Sequence, residues 1–248
     1  MKKLRDQEAP NGVQVEMVEG CPLRCDFCGI NGIRGDKRTY KYMTLETAEH
    51  IAQEMAGLKW TSRLEFAMHG EPTMHPNYLE ILKIFRKHLP KNHMLLLTNG
   101  ANIRVGASEK LLAIFETGVN CIGIDRYTNI PWADEIKAQL VKASAFFYNY
   151  PEDGNDANPH RRVKGQRIVF LSPIDTTTSG THSQMILGNH CGAAAPKDDS
   201  KKDKRCARPF RELSFRWDGN VAICCNDFRG EYRVANINDT TLDDLWQH

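Results

Sequence analysis

No stretch of this sequence is apolar for long enough to cross a bilayer, and its opening residues, MKKLRDQEAPNGVQ, lack the apolar core of a secretory signal. A soluble cytoplasmic protein is therefore expected, neither exported nor membrane-embedded. Nor is there an excess of one charge: 33 Lys and Arg against 31 Asp and Glu leave a net +2, with both signs mixed along the chain. Composition thus gives no indication of a nucleic-acid-binding surface, although it does not exclude a local basic patch. There is no internal repeat, and only the Lys/Asp-rich part of GNHCGAAAPKDDSKKDKRC approaches low complexity. Cysteine, by contrast, is plentiful, with eight in 248 residues. Without a signal peptide they read as reduced thiolates and metal ligands rather than as a disulfide framework.

Short apolar runs alternate with amphipathic stretches over the first two thirds. Val13–Val18, Leu64–Met68, Met94–Thr98, Cys121–Asp125 and Arg167–Leu171 predict buried strands. Between them, TLETAEHIAQEMAGL predicts a helix capped by Thr44, with Leu45, Ala48, Ile51, Ala52, Met55 and Leu58 on one face. NYLEILKIFRKHLP predicts a second helix stopping at Pro90, and SEKLLAIFETG a third running from a Ser108 cap to Gly118. A fourth is expected over PWADEIKAQLVKASAFF, with Pro131 in its first position. Strands alternating with helices imply βα units and a parallel sheet. Five or six units fit the length, so the expected class is α/β, a partial (β/α)6 TIM-like barrel with a small C-terminal β-hairpin and cysteine module. The expected division is residues 1–185 for the core and 186–248 for the module.

The stretch GCPLRCDFCGI places Cys21, Cys25 and Cys28 directly after the first strand, where ligands of such sheets collect. Thiolates select zinc, copper(I) or iron–sulfur clusters. A structural zinc site wants four ligands, and no second Cys-x2-Cys pair lies near, although His50 or His69 could be recruited. A four-iron cluster held by three cysteines instead leaves one iron open to a substrate or cofactor.

That loop resembles the CxxxCxxC cluster loop of the radical S-adenosylmethionine (SAM) enzymes. FAMHGEP resembles the glycine-rich motif of the same family, with Gly70-Glu71-Pro72 in place of the commoner Gly-Gly-Glu, and LLLTNGA resembles the end of its third strand. The resemblance covers roughly residues 13 to 175. It implies a [4Fe-4S] cluster on Cys21, Cys25 and Cys28 that chelates SAM, cleavage to a 5′-deoxyadenosyl radical, and hydrogen abstraction from a substrate. It also implies that Phe27 packs near the adenine, and that Gly70, Glu71 and Pro72 receive the SAM ammonium group. Asn99 could reach the cofactor or simply serve the Asn-Gly turn. Asp125, with Arg126 and Tyr127, ends a strand facing the site and could bind substrate or relay a proton, or form a structural charge pair.

Near the C-terminus, Cys206, Gly219 and Cys224 fit the opening CX9-15GX4C of the SPASM or twitch extensions, which bind auxiliary iron–sulfur clusters, and VANINDTTLDDLW resembles their tail. Such modules normally continue to further cysteines, so either the sequence is a truncated piece, or Cys191 and Cys225 complete the site, or no auxiliary cluster forms. ELSFRW-DG-NVAICC predicts a hairpin with a two-residue type I′ turn at Asp218-Gly219. Strand alternation would turn Cys225 away from Cys224, and Cys121 reads as core. Thr240 or Thr241 is expected to cap a short final helix. The resemblance implies a small-molecule or peptide substrate and an electron donor such as flavodoxin or ferredoxin. The alternative from a different class is a non-catalytic iron–sulfur electron-transfer or zinc-binding protein.

Overall fold

The computed structural model describes residues 8–25, 28–32, 39–126, 145–149, 167–173 and 206–247. Phe27, Cys191, the expected helix start at Pro131 and the expected 185/186 division lie outside the described residues. Among those described, the sheet strands are β1 (Gly12–Val15), β4 (Arg63–Phe66), β5 (Met94–Thr98), β6 (Cys121–Arg126), β7 (Ala145–Asn149), β8 (Arg167–Pro173), β9 (Glu212–Phe215), β10 (Asn220–Ala222) and β11 (Arg233–Asn236). A separate antiparallel pair, β2 (Val18–Glu19) and β3 (Lys41–Tyr42), brackets the cysteine loop.

Nine strands form one sheet in the order β11-β10-β9-β1-β4-β5-β6-β8-β7, parallel from β9 through β7. Among the described residues the two outermost strands, β11 and β7, do not pair and no closed barrel forms, consistent with the expected partial barrel. Two departures from a sequential barrel appear. First, β8 lies between β6 and β7. Second, the C-terminal module extends the core sheet, because β9 pairs with β1 in parallel, Val13 opposite Leu213 and Val15 opposite Phe215.

One face of the sheet carries Val13, Val15, Leu64, Phe66, Met94, Leu96, Ile122 and Ile124, all fully buried. It packs on α1 (Leu45–Gly57), α2 (Tyr78–His88) and α3 (Ala107–Glu116). Thr44 caps α1 as expected, its Oγ1 accepting the Thr47 N–H at 3.1 Å. Ile51 and Met55 of α1 are fully buried, worth about 1.5–3 kcal/mol each in transfer free energy. Period-two alternation sends the neighbouring residues Gln14, Glu16, Leu95, Leu97, Cys121 and Asp125 to the other face. Cys121 is buried there against Leu95, as its place in the strand predicts.

Three local expectations are corrected. Ala145, Phe146 and Phe147, expected as the end of a helix, belong to β7, where they pair with Arg167, Ile168 and Val169; two adjacent aromatics followed by tyrosine favour the pleated conformation. The cap of α3 is Gly106 in the left-handed region, φ 67°, rather than Ser108. The β9–β10 turn is not type I′, since Asp218 lacks the positive φ that turn demands and only Gly219 has it, at 80°. Arg216 pairs with Asn220 and accepts the Gly219 N–H at 3.0 Å, a type I turn with a G1 bulge. The short final helix α4 (Leu242–Gln247) is capped by Thr241, whose Oγ1 accepts the Asp244 N–H at 3.2 Å. Among the described residues, no helix is long and apolar enough to cross a membrane.

Candidate functional site

The chain leaves β1 at Val15, pairs briefly as β2, and enters the cysteine loop at Gly20. What anchors that loop is a backbone contact: Gly20 and Gly70 form an isolated parallel bridge, and Glu71 N–H donates to the Gly20 carbonyl at 2.9 Å. A Cβ on Gly70 would lie 2.0 Å from the carbonyl oxygen of Val18. The close approach that requires glycine is therefore made by the chain's own backbone at the entrance to the cysteine loop.

Cys21, Cys25 and Cys28 all line one pocket of about 170 Å³ at the carboxyl ends of β4, β5 and β6. Its wall continues through Met68, His69, Gly70 and Glu71 to Asn99 and Asp125, so the sequence-predicted residues of three separate strand ends converge. Pro72 does not line it; it opens the 3-10 turn Pro72–Met74 behind Glu71. Met68 adopts φ 96°, strained for a side chain of this kind, as residues at functional sites often are.

The Glu71 carboxylate is buried and satisfied internally. Its Oε1 accepts from Thr73 N–H (3.1 Å), Thr73 Oγ1 (2.6 Å) and Thr98 Oγ1 (2.6 Å), and its Oε2 accepts from Asn99 N–H (2.7 Å). Burial pushes its pKa up against these four bonds. Glu71 thus ties the end of β5 to the Gly70 bridge, and only the remaining acceptor capacity of Oε2 is left for a bound ammonium. Asn99 serves the Asn-Gly turn, its Oδ1 accepting the Ala101 N–H at 2.9 Å, while its Nδ2 donates to Cys21 Sγ at 3.2 Å.

Whether these residues suit an iron–sulfur cluster is tested by their charge. Burial pushes the Cys21 thiol up to about 12, and the nearby charges of Glu71, Cys28 and Cys25 push the same way. Three thiolates beside a buried carboxylate are stable together only with a cation to neutralise them. An N–H donor aimed at one sulfur suits the same occupant. Among the described residues, no three His, Cys, Asp or Glu side chains gather as ligands of a single metal ion. His69, considered as a fourth zinc ligand, is committed elsewhere, with Nδ1 2.7 Å from Glu16 Oε1 and Nε2 donating to the Cys225 carbonyl at 2.8 Å. The donor set fits a cluster.

In the C-terminal module Cys206 is exposed and Cys224 half-buried. Cys225 does not face the opposite side of a strand, as alternation implied, because β10 ends at Ala222 and both cysteines sit in the following turn. The neighbouring Cys224 thiol and burial push the Cys225 thiol up, while the Arg208 guanidinium, 2.8 Å from its sulfur, pulls the other way. Asp227 fixes this turn by accepting from Glu231 N–H at 3.1 Å and Tyr232 N–H at 2.8 Å. Sequence reasoning missed Glu16, Thr98 and Arg216, each of which organises the site. A lone acid inside the apolar run VQVEMV was the signal available for Glu16.

The family model of the radical SAM superfamily matches residues 15–126, and that of SPASM, an iron-sulfur cluster-binding domain, matches residues 206–248. PqqA peptide cyclase of Methylorubrum extorquens is 33% identical over 118 residues, 45% of this chain and 27% of the relative. The match therefore spans about a quarter of the length of that relative. Among solved structures, BtrN in complex with AdoMet and 2-DOIA superposes with a TM-score of 0.70 at 18% identity, over 96% of this chain and 82% of BtrN. The anSMEcpe structure with bound AdoMet gives 0.55 at 16%, over 96% and 78%. At these identities the likeness is one of fold. The two domains imply a [4Fe-4S] cluster, SAM binding and an auxiliary iron–sulfur cluster. Cysteine loop, strand order and domain matches agree: the chain carries a radical SAM domain over residues 15–126 and a SPASM iron-sulfur cluster-binding domain over residues 206–248.

Proposed function

We propose that this protein is an enzyme that reductively cleaves SAM and abstracts hydrogen from a peptide substrate, in an oxidoreductase or related peptide-modifying reaction. The observation that carries this reading is the convergence of Cys21, Cys25 and Cys28 with Gly70, Glu71, Asn99 and Asp125 on one pocket. When bound, the cluster and SAM supply the reductive cleavage of a sulfonium and an adenosyl fragment that takes hydrogen from substrate.

The residues of the chain do the rest. Cys21, Cys25 and Cys28 hold the cluster as thiolates, and the Asn99 amide stabilises charge on the Cys21 sulfur. The strand edge at Gly70 and the free capacity of Glu71 Oε2 receive the SAM ammonium. Ile30 and Leu97, with Leu23, Ala67 and Met68, form the apolar part of the wall and exclude water. Asp125, at the end of β6, orients substrate or moves a proton. Cys206 and Cys224 serve the auxiliary cluster of a module over residues 186–248, appended to a core over 1–185. The external electron donor is a flavodoxin or ferredoxin.

Similarity to a PqqA peptide cyclase supports a peptide over a small molecule as substrate. A non-catalytic electron carrier or zinc protein would have no use for the open polar wall at Gly70, Glu71 and Asn99. The test is isotopic. Candidate peptides deuterated at their side chains are incubated anaerobically with the enzyme, SAM and reductant, and deuterium is sought in 5′-deoxyadenosine by mass spectrometry. Transfer supports a peptide substrate; transfer from small cyclic alcohols alone would refute it.

A further inference from the structure

His69 lies in the pocket wall, yet its side chain faces away from the work just described. The ring is fully buried, with Nδ1 2.7 Å from Glu16 Oε1 and Nε2 2.8 Å from the carbonyl oxygen of Cys225. A carbonyl oxygen only accepts, so Nε2 carries a proton and donates. The same ring packs on Phe228, the centroids 4.4 Å apart. His69 thus touches the auxiliary loop at two points, on either side of the turn that follows Cys224.

The contact continues beyond Glu16. Its Oε2 accepts from Trp217 N–H at 3.3 Å and faces Arg216 Nε at 3.7 Å. Arg216 donates in turn to the Asp227 carbonyl at 2.7 Å and to the carboxylate of Glu19, which stands two residues before Cys21. Glu16 and His69 are fully buried and Arg216 is 7% exposed, so these bonds are shielded from water and held in one geometry. The result is a closed circuit from the pocket wall, through the auxiliary loop, to the entrance of the first cysteine loop.

We propose that His69 is a positioning residue that locks the Cys224–Phe228 loop against the wall of the Cys21 pocket, so that the two cysteine sites are set as one unit. The bond to the Cys225 carbonyl fixes the peptide plane directly after the cysteine pair, and with it the direction in which Cys224 presents its sulfur. An apolar side chain of equal volume would fill the space and leave that carbonyl without its buried donor. The inference rests on the functional reading only where it treats Cys21 and Cys224 as ligands of separate clusters. The lock itself needs no cluster.

The test compares His69→Gln, which keeps an amide donor, with His69→Met, which has similar bulk and none. Amide hydrogen exchange is followed by mass spectrometry in the protein as isolated. Exchange over residues 223–232 is expected to be about 10-fold faster in His69→Met than in His69→Gln, with α1 unchanged in both. After anaerobic reconstitution, the auxiliary iron should fall in His69→Met and be retained in His69→Gln. Equal exchange over 223–232 in the two variants would overturn the proposal. Failure of the functional reading would show separately, as wild-type protein that takes up no iron, and the exchange contrast would still be expected.

Discussion

Asn99 Nδ2 lies 3.2 Å from the sulfur of Cys21, a residue 78 positions away, and is held there by an Asx turn in which Asn99 Oδ1 accepts the Ala101 N–H at 2.9 Å. The turn fixes the amide so that a donor points at the first cysteine before anything binds. Replacing Asn99 by Ala removes both the donor and the turn. Partners of this kind cost about 10- to 100-fold in affinity or activity when lost. Asn99→Ala is expected to keep iron at the site and to lower the rate of 5′-deoxyadenosine release within that range, with a more negative cluster potential. An unchanged rate and potential would show that the contact is incidental.

A side chain at Gly70 should damage the fold and the site together. The Cβ of Gly70→Ala would sit 2.0 Å from the Val18 carbonyl, a rigid backbone atom. Overpacking of this kind costs about 1–3 kcal/mol, so the melting temperature should fall by about 5 °C. Iron uptake should fall with it, since Gly20 and Cys21 are displaced by the same shift. Differential scanning calorimetry with iron analysis checks this; a variant with wild-type melting and iron would refute the bridge as anchor.

How much of this was legible beforehand divides by the range of the interaction. The three-cysteine loop, the Gly70-Glu71 motif and the strand ends at Asn99 and Asp125 could be read, because spacing along the chain and the end of each strand determine where they go. The hairpin turn could be located but not typed: Asp218-Gly219 suggested type I′, and only the Arg216–Asn220 pairing reveals the bulge. The partners of Glu16, His69 and Arg216 could not be read at all. They lie on segments 53 and 201 positions apart, joined because β9 adds to the core sheet beside β1, and that choice of edge leaves no periodic trace in the sequence. Ala145–Phe147 failed for a different reason, since a short apolar run serves a helix end or a buried strand equally well.

The C-terminal pair should bind iron apart from the first site. Cys206→Ala/Cys224→Ala is expected to lose the iron of the auxiliary cluster while keeping that of the Cys21 pocket, since no residue of the pair lines that pocket. Iron and sulfide analysis after reconstitution separates the two. Equal iron in wild type and double variant would mean that Cys206 and Cys224 are not ligands.

Glu19 links acid stability to the same region. Burial works to raise its pKa, but the hydrogen bond and charge of Lys41 and the charge of Arg216 together outweigh it and hold it below the ordinary 4.5. A carboxylate with a depressed folded pKa contributes stability that is complete above its unfolded value and lost as pH falls through the folded one. Urea midpoints of the wild type should therefore drop as pH is lowered from about 4.5, and Glu19→Gln should show a smaller drop from a lower neutral-pH starting point. Identical pH dependence in both would contradict the assignment.

The Cys21, Cys25 and Cys28 pocket is expected to hold a cluster that cleaves SAM. The most direct measurement is 5′-deoxyadenosine released when the anaerobically reconstituted protein is given SAM and dithionite, compared with Cys25→Ala. Release by the wild type and none by Cys25→Ala is the expected result; equal release by the two, or none from a wild type that has taken up iron, would contradict it.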